Sequence, residues 1–414
     1  CPFQCTFCAD GISAQNKIYK TNPKRFEDEL TYIAERYKGK YLLIADDNFG
    51  MYPEDVEISK IIARCREKYD FPHHLQVCAG KNNQARIIEC SDILKGTLRL
   101  GASIQSMDDE VLKNVKRSNI SYQKLIDVSM RVSDTEASSY SEVILSLPGD
   151  SKEKHYSTID KVVDAGINQV RLLTLIILDG SELGTDSEIK KFNIKTRYRA
   201  VHRSFGNYEI GGEVLPSVEI EEVCVENESL PFEDYIECRR FALTVTIFYC
   251  DKIMFELTQF IKNMDFKVSE WLHYVHEDYV RFPEKLSEIY DQFTKETIEE
   301  LAESKEDFER WIKYEPGIMD DYINGDRGNN VLFNTQARVH LEAIEQLHEV
   351  AFRCAAEFTK VDQHKDSAHL LKYLKELERY ALSKRKNFID IHKTYTEDFS
   401  FDFIALESEN FKSL

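Results

Sequence analysis

Apolar residues follow two different periods along this chain. In the first half, short apolar or β-branched runs alternate with segments of helical spacing, as buried parallel strands and their crossover helices do. The runs are Tyr41–Ala45, His74–Val77, Thr97–Ser103, Ser141–Leu147 and Gln169–Ile177. Between them, helices are predicted to begin near Pro23, Pro53, Asp108 and Ser151. Repeated strand–helix units imply a parallel sheet with right-handed crossovers, and this alternating pattern runs from residue 1 to about residue 185.

The second half has longer helical patterns with surfaces rich in Glu and Lys. Residues 209–235 are predicted to be a mixed connector with strands near Glu213–Val225, and residues 236–385 a helical domain. The helical patterns are Arg239–Lys262, Val268–Val280, Glu284–Glu303, Ala337–Thr359 and Ser367–Ser383. Alternation over Thr394–Leu406 predicts a strand-like tail within residues 386–414.

Charge and composition exclude several classes of partner. The 414 residues carry a formal net charge of −19, which repels phosphate backbones and acidic lipid surfaces, so we expect no nucleic-acid or membrane partner. No stretch approaches the roughly 20 apolar residues of a membrane span. Among the ten Cys, those after residue 8 form no C-x-x-C pair, which argues against a disulfide framework or a zinc ribbon. A reducing, cytoplasmic location is predicted.

The most informative feature is the opening segment Cys1-Pro-Phe-Gln-Cys5-Thr-Phe7-Cys8. Three thiolates can hold three irons of a [4Fe–4S] cube and leave the fourth open to a ligand, whereas a closed cluster takes four Cys. Two other interpretations stay open. Three Cys and a His, with His73 or His74 as the candidate, could bind zinc. Cys5 and Cys8 alone could be a redox pair, although this leaves Cys1 unexplained.

Polar clusters follow the predicted strands, where ligands sit in α/β sheets and barrels. They include Asp46-Asp47-Asn48, Gln105-Ser106 and Ser146, with Arg117 at the end of the helix that follows the predicted strand Thr97–Ser103. Each has a structural alternative: a turn and helix cap for the first, a solvated helix end for Arg117 and a common turn for Ser146.

The C-x3-C-x2-C spacing, with Phe7 before the last Cys, resembles the radical S-adenosylmethionine (SAM) superfamily. The Asp-Asp-Asn-Phe segment at residues 46–49 is similar to its cobalamin-associated branch. The resemblance covers residues 1–208 and implies a partial (β/α)6 TIM-like barrel, followed by the mainly α-helical C-terminal domain. It also implies that the first barrel strand and a cobalamin-binding domain lie upstream of Cys1.

The resemblance implies a role for each candidate site residue. Cys1, Cys5 and Cys8 hold the cluster, and Phe7 is a wall beside the cofactor. Acceptors for the ammonium group of SAM, or contacts to substrate, come from Asp46, Asp47 and Asn48. Gln105 and Ser106 contact ribose hydroxyls, Arg117 reaches the methionine carboxylate as a charged fork, and Ser146 shapes the adenine side.

The expected function is that of a radical SAM enzyme. It would cleave SAM reductively and modify a small-molecule or natural-product-like substrate, with cobalamin by methyl transfer or rearrangement, or without cobalamin by hydrogen abstraction. A flavodoxin or ferredoxin is the expected reductant. The alternative from another class is a non-catalytic iron–sulfur electron carrier or redox sensor, which needs a fourth ligand and no SAM pocket.

Overall fold

The computed structural model describes residues 1–12, 14–15, 17–80, 83–95, 100–101, 103–133, 139–385, 392–394 and 396–411. These residues form two compact units, Cys1–Ile194 and Lys195–Leu414. The first is mixed α/β, and the second is mainly helical with one β-hairpin. The predicted boundary at residue 208 stays a prediction; the units divide earlier because the strand that begins at Lys195 pairs along its length with residues 213–226.

Short parallel strands and amphipathic helices build the first unit. The strands are β1 Tyr41–Leu43, β2 His74–Gln76, β3 Leu100–Gly101, β4 Ser139–Leu145, β5 Gln169–Thr174 and β6 Ile176–Ile177. The helices are α1 Pro23–Arg36, α2 Pro53–Tyr69, α3 Gln84–Ile93, α4 Asp109–Asn114, α5 Tyr122–Ser133, α6 Lys152–Asp164 and α7 Asp186–Lys191. Each predicted strand therefore overlaps an observed one, although part of the predicted strand Thr97–Ser103 lies outside the described residues.

Five of the strands of this unit, β1 to β5, form two parallel ladders. β1 pairs with β2, and β4 pairs with both β3 and β5. Within the described part of the chain no ladder joins β2 to β3, so the pairing does not by itself define the predicted barrel. One face of the first ladder packs on α1 and α2, through buried Leu30, Ile62 and Leu75 among others. Burial of this apolar surface is what holds the strands against their helices.

The second unit contains a long antiparallel hairpin and ten helices among its described residues. The strands, β7 Lys195–Ile210 and β8 Glu213–Glu226, confirm the prediction of strand structure near Glu213–Val225. The helices are α8 Phe232–Phe248, α9 Phe255–Asn263, α10 Val268–Glu277, α11 Glu284–Glu299, α12 Lys305–Tyr314, α13 Ile318–Asn324, α14 Val331–Glu342, α15 Ile344–Phe358, α16 Ser367–Ser383 and α17 Phe403–Ser408.

Three predictions in this unit differ from the structure. The helix expected over Arg239–Lys262 is interrupted, because Asp251 and Lys252 take left-handed φ angles of 57° and 59°. The helix expected over Ala337–Thr359 breaks at Ala343, whose φ is −139°. In the described part of the tail, Phe403–Ser408 is a helix and not a strand, because the Asp402 side chain caps it by accepting from the backbone N–H of Ala405.

A buried carboxylate links the end of α16 to the rest of this unit. Glu256, whose side chain is fully buried, pairs with Lys384 Nζ at 2.9 Å and with Arg385 Nη2 at 3.0 Å. Lys384 also contacts Glu407 on α17, and Glu407 accepts a hydrogen bond from the Tyr380 hydroxyl. Burying a charge is costly unless it is paired, so the two cations offset the cost of burying the Glu256 carboxylate.

None of the described helices is long and apolar enough to cross a membrane.

Candidate active site

A cavity of about 1380 Å³ opens in the first unit. Cys1, Cys5 and Cys8 all line it, so the three thiols of the opening motif share one space. Pockets for drug-sized ligands are usually about 300–1000 Å³, so this cavity has room for more than one small molecule. The other predicted site residues along its walls are Phe7, Asp47, Asn48, Gln105 and Arg117. Asp46, Ser106 and Ser146 are not among the residues that line it.

The backbone of the cysteine loop is tightly folded. The Cys8 N–H donates to the Cys5 carbonyl, and the Gly11 N–H donates to the Cys8 carbonyl, each at 3.1 Å. A Cβ at Gly11 would lie 2.6 Å from the Cys5 carbonyl oxygen, a separation that a side chain cannot adopt without moving the backbone. Glycine is therefore required for this loop to pass so close to Cys5.

The Asp-Asp-Asn segment separates into local and cavity-facing residues. Asp46 forms a turn, because its Oδ1 accepts the Asn48 N–H at 2.7 Å. Asp47 lines the cavity, where partial burial and the neighbouring Asp10 raise its pKa. The Oδ1 of Asn48 is buried and has no hydrogen-bond partner among the described residues. Of the three, Asp47 and Asn48 are thus the ones that line the cavity.

Gln105 and Ser106 likewise have different environments. Gln105 sits between β3 and β4 with a left-handed φ of 62°, held by hydrogen bonds to Glu142 and Ile144. Gln105 lines the cavity, and its buried Oε1 lacks a partner in the described part of the chain. The Ser106 hydroxyl accepts the Asp108 N–H at 3.2 Å, which is a local turn contact.

Arg117 lies against the motif itself. Its Nη1 is 3.8 Å from the Sγ of Cys5, its Nε donates to Asn119 Oδ1 at 2.9 Å, and its Nη2 donates to the Ser103 carbonyl. Burial lowers the pKa of the guanidinium, although the Cys5 thiol acts in the opposite direction. Lys116 instead extends to Glu182, with 2.6 Å between Nζ and Oε1. The structure therefore brings Arg117, and not Lys116, to the cysteine loop.

Ser146 follows β4 as a fully buried residue with a left-handed φ of 71°. A serine in this backbone conformation is uncommon and is found where a sharp turn is needed. Its position fits the predicted shaping of the strand end, without direct access to the cavity.

The donor set fits an iron–sulfur cluster with an additional polar ligand. Thiolates are the groups that such clusters take from proteins. Asn48 and Gln105 line the same cavity, and each has a buried amide oxygen that lacks a hydrogen-bond partner among the described residues. No three Cys, His, Asp or Glu side chains of the described chain converge on a point for a single metal ion. A four-iron cube binds its thiolates at separate corners, so it does not require such convergence.

Sequence reasoning missed a group of polar residues within the strands. Tyr140, Glu142 and Arg171 line the cavity from the interior of β4 and β5, and Ser103 lines it beside them. Cys78 also lines it and is exposed. A signal was present, because Glu142 and Arg171 are the charged residues of two strands that otherwise carry no charge. These residues lie within the strands, whereas ligands of such folds are expected beyond the strand ends.

Comparison with known families defines the class of this part of the chain. Residues 1–162 match the family model of the radical SAM superfamily. This match includes the cysteine motif and confirms the resemblance that the motif carries.

Two curated proteins are similar over 252 residues. One is the cobalamin-dependent radical SAM methyltransferase TokK of Streptomyces tokunonensis, at 28% identity. The other is the 2-(S-pantetheinyl)-carbapenam-3-carboxylate methyltransferase of Streptantibioticus cattleyicolor, at 26%. In each case the match covers 59% of this chain and 36% of the relative. The chain thus spans little more than a third of the length of the curated relatives it matches.

Two solved structures of a radical SAM methyltransferase, TsrM from Kitasatospora setae, are also similar. One, with tryptophan and a SAM analogue bound, has a TM-score of 0.39 at 14% identity and covers 44% of this chain and 36% of that one. The other, with cobalamin and a [4Fe–4S] cluster bound, has a TM-score of 0.40 at 13% identity and covers 51% and 38%.

Proposed function

We propose that this chain carries the catalytic domain of a radical SAM enzyme that modifies a small, natural-product-like molecule. Methyl transfer assisted by cobalamin is the favoured outcome, since both curated relatives are named as methyltransferases and one as cobalamin-dependent. The observation that carries the proposal is the cavity, which the three motif thiols share with Asn48, Gln105 and Arg117. The predicted partial barrel is part of this proposal.

Each of the candidate site residues would have a separate role in holding the cluster or SAM. Cys1, Cys5 and Cys8 would hold an open-site cluster, with Phe7 as an apolar wall. Asp47 and Asn48 would accept hydrogen bonds from the ammonium group of SAM, and Gln105 from its ribose. Asp46, Ser106 and Ser146 would keep these loops in shape.

Electrostatics and exclusion of water are the other contributions of the protein. The Arg117 guanidinium would fix the methionine carboxylate through charge-assisted hydrogen bonds. When bound, the cluster and SAM would supply reductive cleavage of a sulfur–carbon bond, with a flavodoxin or ferredoxin as the electron source. The apolar parts of the cavity would keep water away from this chemistry.

The test is SAM cleavage by the anaerobically reconstituted protein with dithionite. We expect 5′-deoxyadenosine in the wild type, and S-adenosylhomocysteine in addition when cobalamin and a substrate are present, both quantified by mass spectrometry. Cys5→Ala should abolish both products. A wild-type protein that holds a full cluster and forms neither product would refute the proposed radical SAM activity.

One observation favours a second function. Cys78 lines the same cavity as the three motif cysteines, and a fourth thiolate would close the cluster. A closed cluster suits an electron carrier or redox sensor. In that case Cys78→Ala would lower the iron content or change the spectrum of the cluster, whereas an open-site cluster would be unaffected.

A further inference from the structure

The cavity wall formed by β4 and β5 carries a charged pair in an unusual place. Side chains alternate along these strands, so that Val143 and Val170 are buried on one face, while Glu142 and Arg171 line the cavity on the other. The two charged residues are direct partners in the parallel ladder. Strands of parallel sheets are usually apolar on both faces, so a charged pair there requires an explanation.

The pair is held in a fixed arrangement. The Nη1 of Arg171 donates to Glu142 Oε1 at 3.3 Å, and the Ser103 hydroxyl donates to Glu142 Oε2 at 2.7 Å. The Arg171 guanidinium also lies over the Tyr140 ring, 4.3 Å from its centroid. Stacking on the ring and the bond to Glu142 together set the plane of the guanidinium.

Most of the hydrogen-bonding capacity of Arg171 is unused. A guanidinium has five N–H donors, and among the described residues only the Glu142 carboxylate accepts one from Arg171. The side chain is 36% exposed, compared with 24% for Glu142. Its remaining donors are therefore accessible from the cavity, and their forked geometry matches a carboxylate.

Arg171 and Arg117 have different surroundings, which separates their roles. Arg117 is 7% exposed and is engaged by Cys5, Ser103 and Asn119. The contacts of Arg171 are made instead with Glu142 and Tyr140. Asp10 and Asp47 also line the cavity, so its walls are not generally positive. Arg171 is therefore a localised positive charge on the β4–β5 wall, where an anion could bind.

We propose that Arg171 anchors a carboxylate of the substrate, with Glu142 and Tyr140 as positioning residues that hold its guanidinium flat against the wall. The proposal rests on the proposed function and adds the chemical class of its substrate. A carboxylate could also come from the methionine part of SAM. The surroundings of Arg117 favour it for that group, which leaves Arg171 for the substrate.

The experiment compares an acid with its neutral counterpart. The probe is 2-(S-pantetheinyl)-carbapenam-3-carboxylate, the compound in the name of one relative, together with its methyl ester. Binding of both to the anaerobically reconstituted full chain, with SAM present, is measured by equilibrium dialysis. We expect the wild type to bind the acid about ten- to a hundred-fold more tightly than the ester, as a charge-assisted pair gives.

Two variants separate charge from geometry. Arg171→Gln should bind acid and ester about equally, and Arg171→Lys should keep part of the preference because it retains the charge but not the fork. SAM affinity is measured in both variants by the same dialysis, so that a loss of acid binding can be told apart from a loss of SAM binding.

Three results would contradict the proposal that Arg171 binds a substrate carboxylate. They are a wild type with no preference for the acid, an Arg171→Gln variant that keeps the full preference, and a loss of SAM affinity in place of acid binding. Failure of the proposed function has a different signature, since it would appear as absent 5′-deoxyadenosine in every variant and in the wild type.

Discussion

The Nη1 atom of Arg117 lies 3.8 Å from the Sγ atom of Cys5, although the two residues are 112 positions apart in the chain. This contact joins the cysteine loop to the segment that follows α4. The same guanidinium donates to the carbonyl of Ser103, just after β3. Arg117 therefore fixes two parts of the cavity relative to each other and places a positive charge beside a candidate cluster ligand.

Replacing Arg117 is expected to weaken SAM binding. Arg117→Gln would remove the proposed charge-assisted contact to the methionine carboxylate, so affinity should fall about ten- to a hundred-fold. The measurement is a SAM titration of the reduced cluster followed by electron paramagnetic resonance. Lys116→Gln is the matched control, because Lys116 pairs with Glu182 outside the cavity. Equal losses in both variants would contradict the assignment.

Removal of single cysteines should distinguish ligands from bystanders. Cys5→Ala is expected to lose most of its cluster and all SAM cleavage, because the open-site arrangement has only three thiolates. Cys78→Ala should retain both, although Cys78 lines the same cavity. Iron and sulfide analysis, together with quantification of the products, measures both properties. A Cys78→Ala protein depleted of iron would favour the alternative function, an electron carrier or redox sensor with a closed cluster.

A methyl group at Gly11 should displace the cysteine loop without unfolding the protein. In Gly11→Ala the new Cβ would approach the Cys5 carbonyl to 2.6 Å, so the loop must shift and cluster content should fall at least two-fold. For Gly206→Ala no described atom lies within 4 Å of the new Cβ, and this control should reconstitute normally. The visible absorbance of the cluster and the melting temperature are the two readouts.

The ion pairs of Arg199 should contribute strongly to the stability of the second unit. Its guanidinium contacts Glu221 at 2.6 Å and Glu300 at 2.7 Å, and all three side chains are at most 16% exposed. Arg199→Met leaves two buried carboxylates uncompensated, which should lower the free energy of unfolding by about 3–5 kcal/mol. Lys195→Met removes a more exposed pair with Glu226 and should cost less than about 1 kcal/mol. Urea denaturation measures both.

His348 should make the protein less stable in mild acid. Its fully buried ring donates from Nδ1 to the Ile344 carbonyl at 2.9 Å, and burial lowers its pKa from 6.5 to about 4. Between these values the unfolded chain binds a proton that the folded chain does not, so the free energy of unfolding falls as pH decreases, by about 3 kcal/mol in total.

The matching measurement is denaturation at several pH values between 7 and 4. The part of the pH dependence that belongs to His348 should disappear in His348→Gln, because the amide does not titrate. The exposed His369→Gln should retain the wild-type slope. An unchanged slope in His348→Gln would show that other groups cause the acid sensitivity.

The sequence predicted where helices and strands lie better than it predicted where a helix is interrupted. Apolar runs located the strands of the first unit because short apolar or β-branched runs stand out from the helical spacing on either side of them. The break between α8 and α9 depends on two left-handed residues, Asp251 and Lys252, and neither is a glycine or proline that would have marked it. Local propensity is a weak guide at such positions, since tertiary packing decides them.

The site was predicted only in part, for a similar reason. Polar residues after strands were found, but the sequence does not reveal which of them bond locally. Asp46 and Ser106 are occupied by turn contacts, whereas Asn48 and Gln105 line the cavity. Arg171 was missed because it lies inside a strand, where its orientation depends on the register of β4 and β5.

The network around Glu256 has a practical consequence for anyone who shortens this chain. A protein cut after residue 385 would keep Lys384 and Arg385 over the buried carboxylate. It would lose Glu407, which shares Lys384, and the Phe403 ring that stacks on Tyr380 at 4.9 Å. The exposed end of α16 would then present a surplus cation beside an uncovered aromatic ring, a surface prone to adhere to other molecules during purification. Expression trials should therefore retain residues 403–411 even when only the cysteine-bearing domain is of interest.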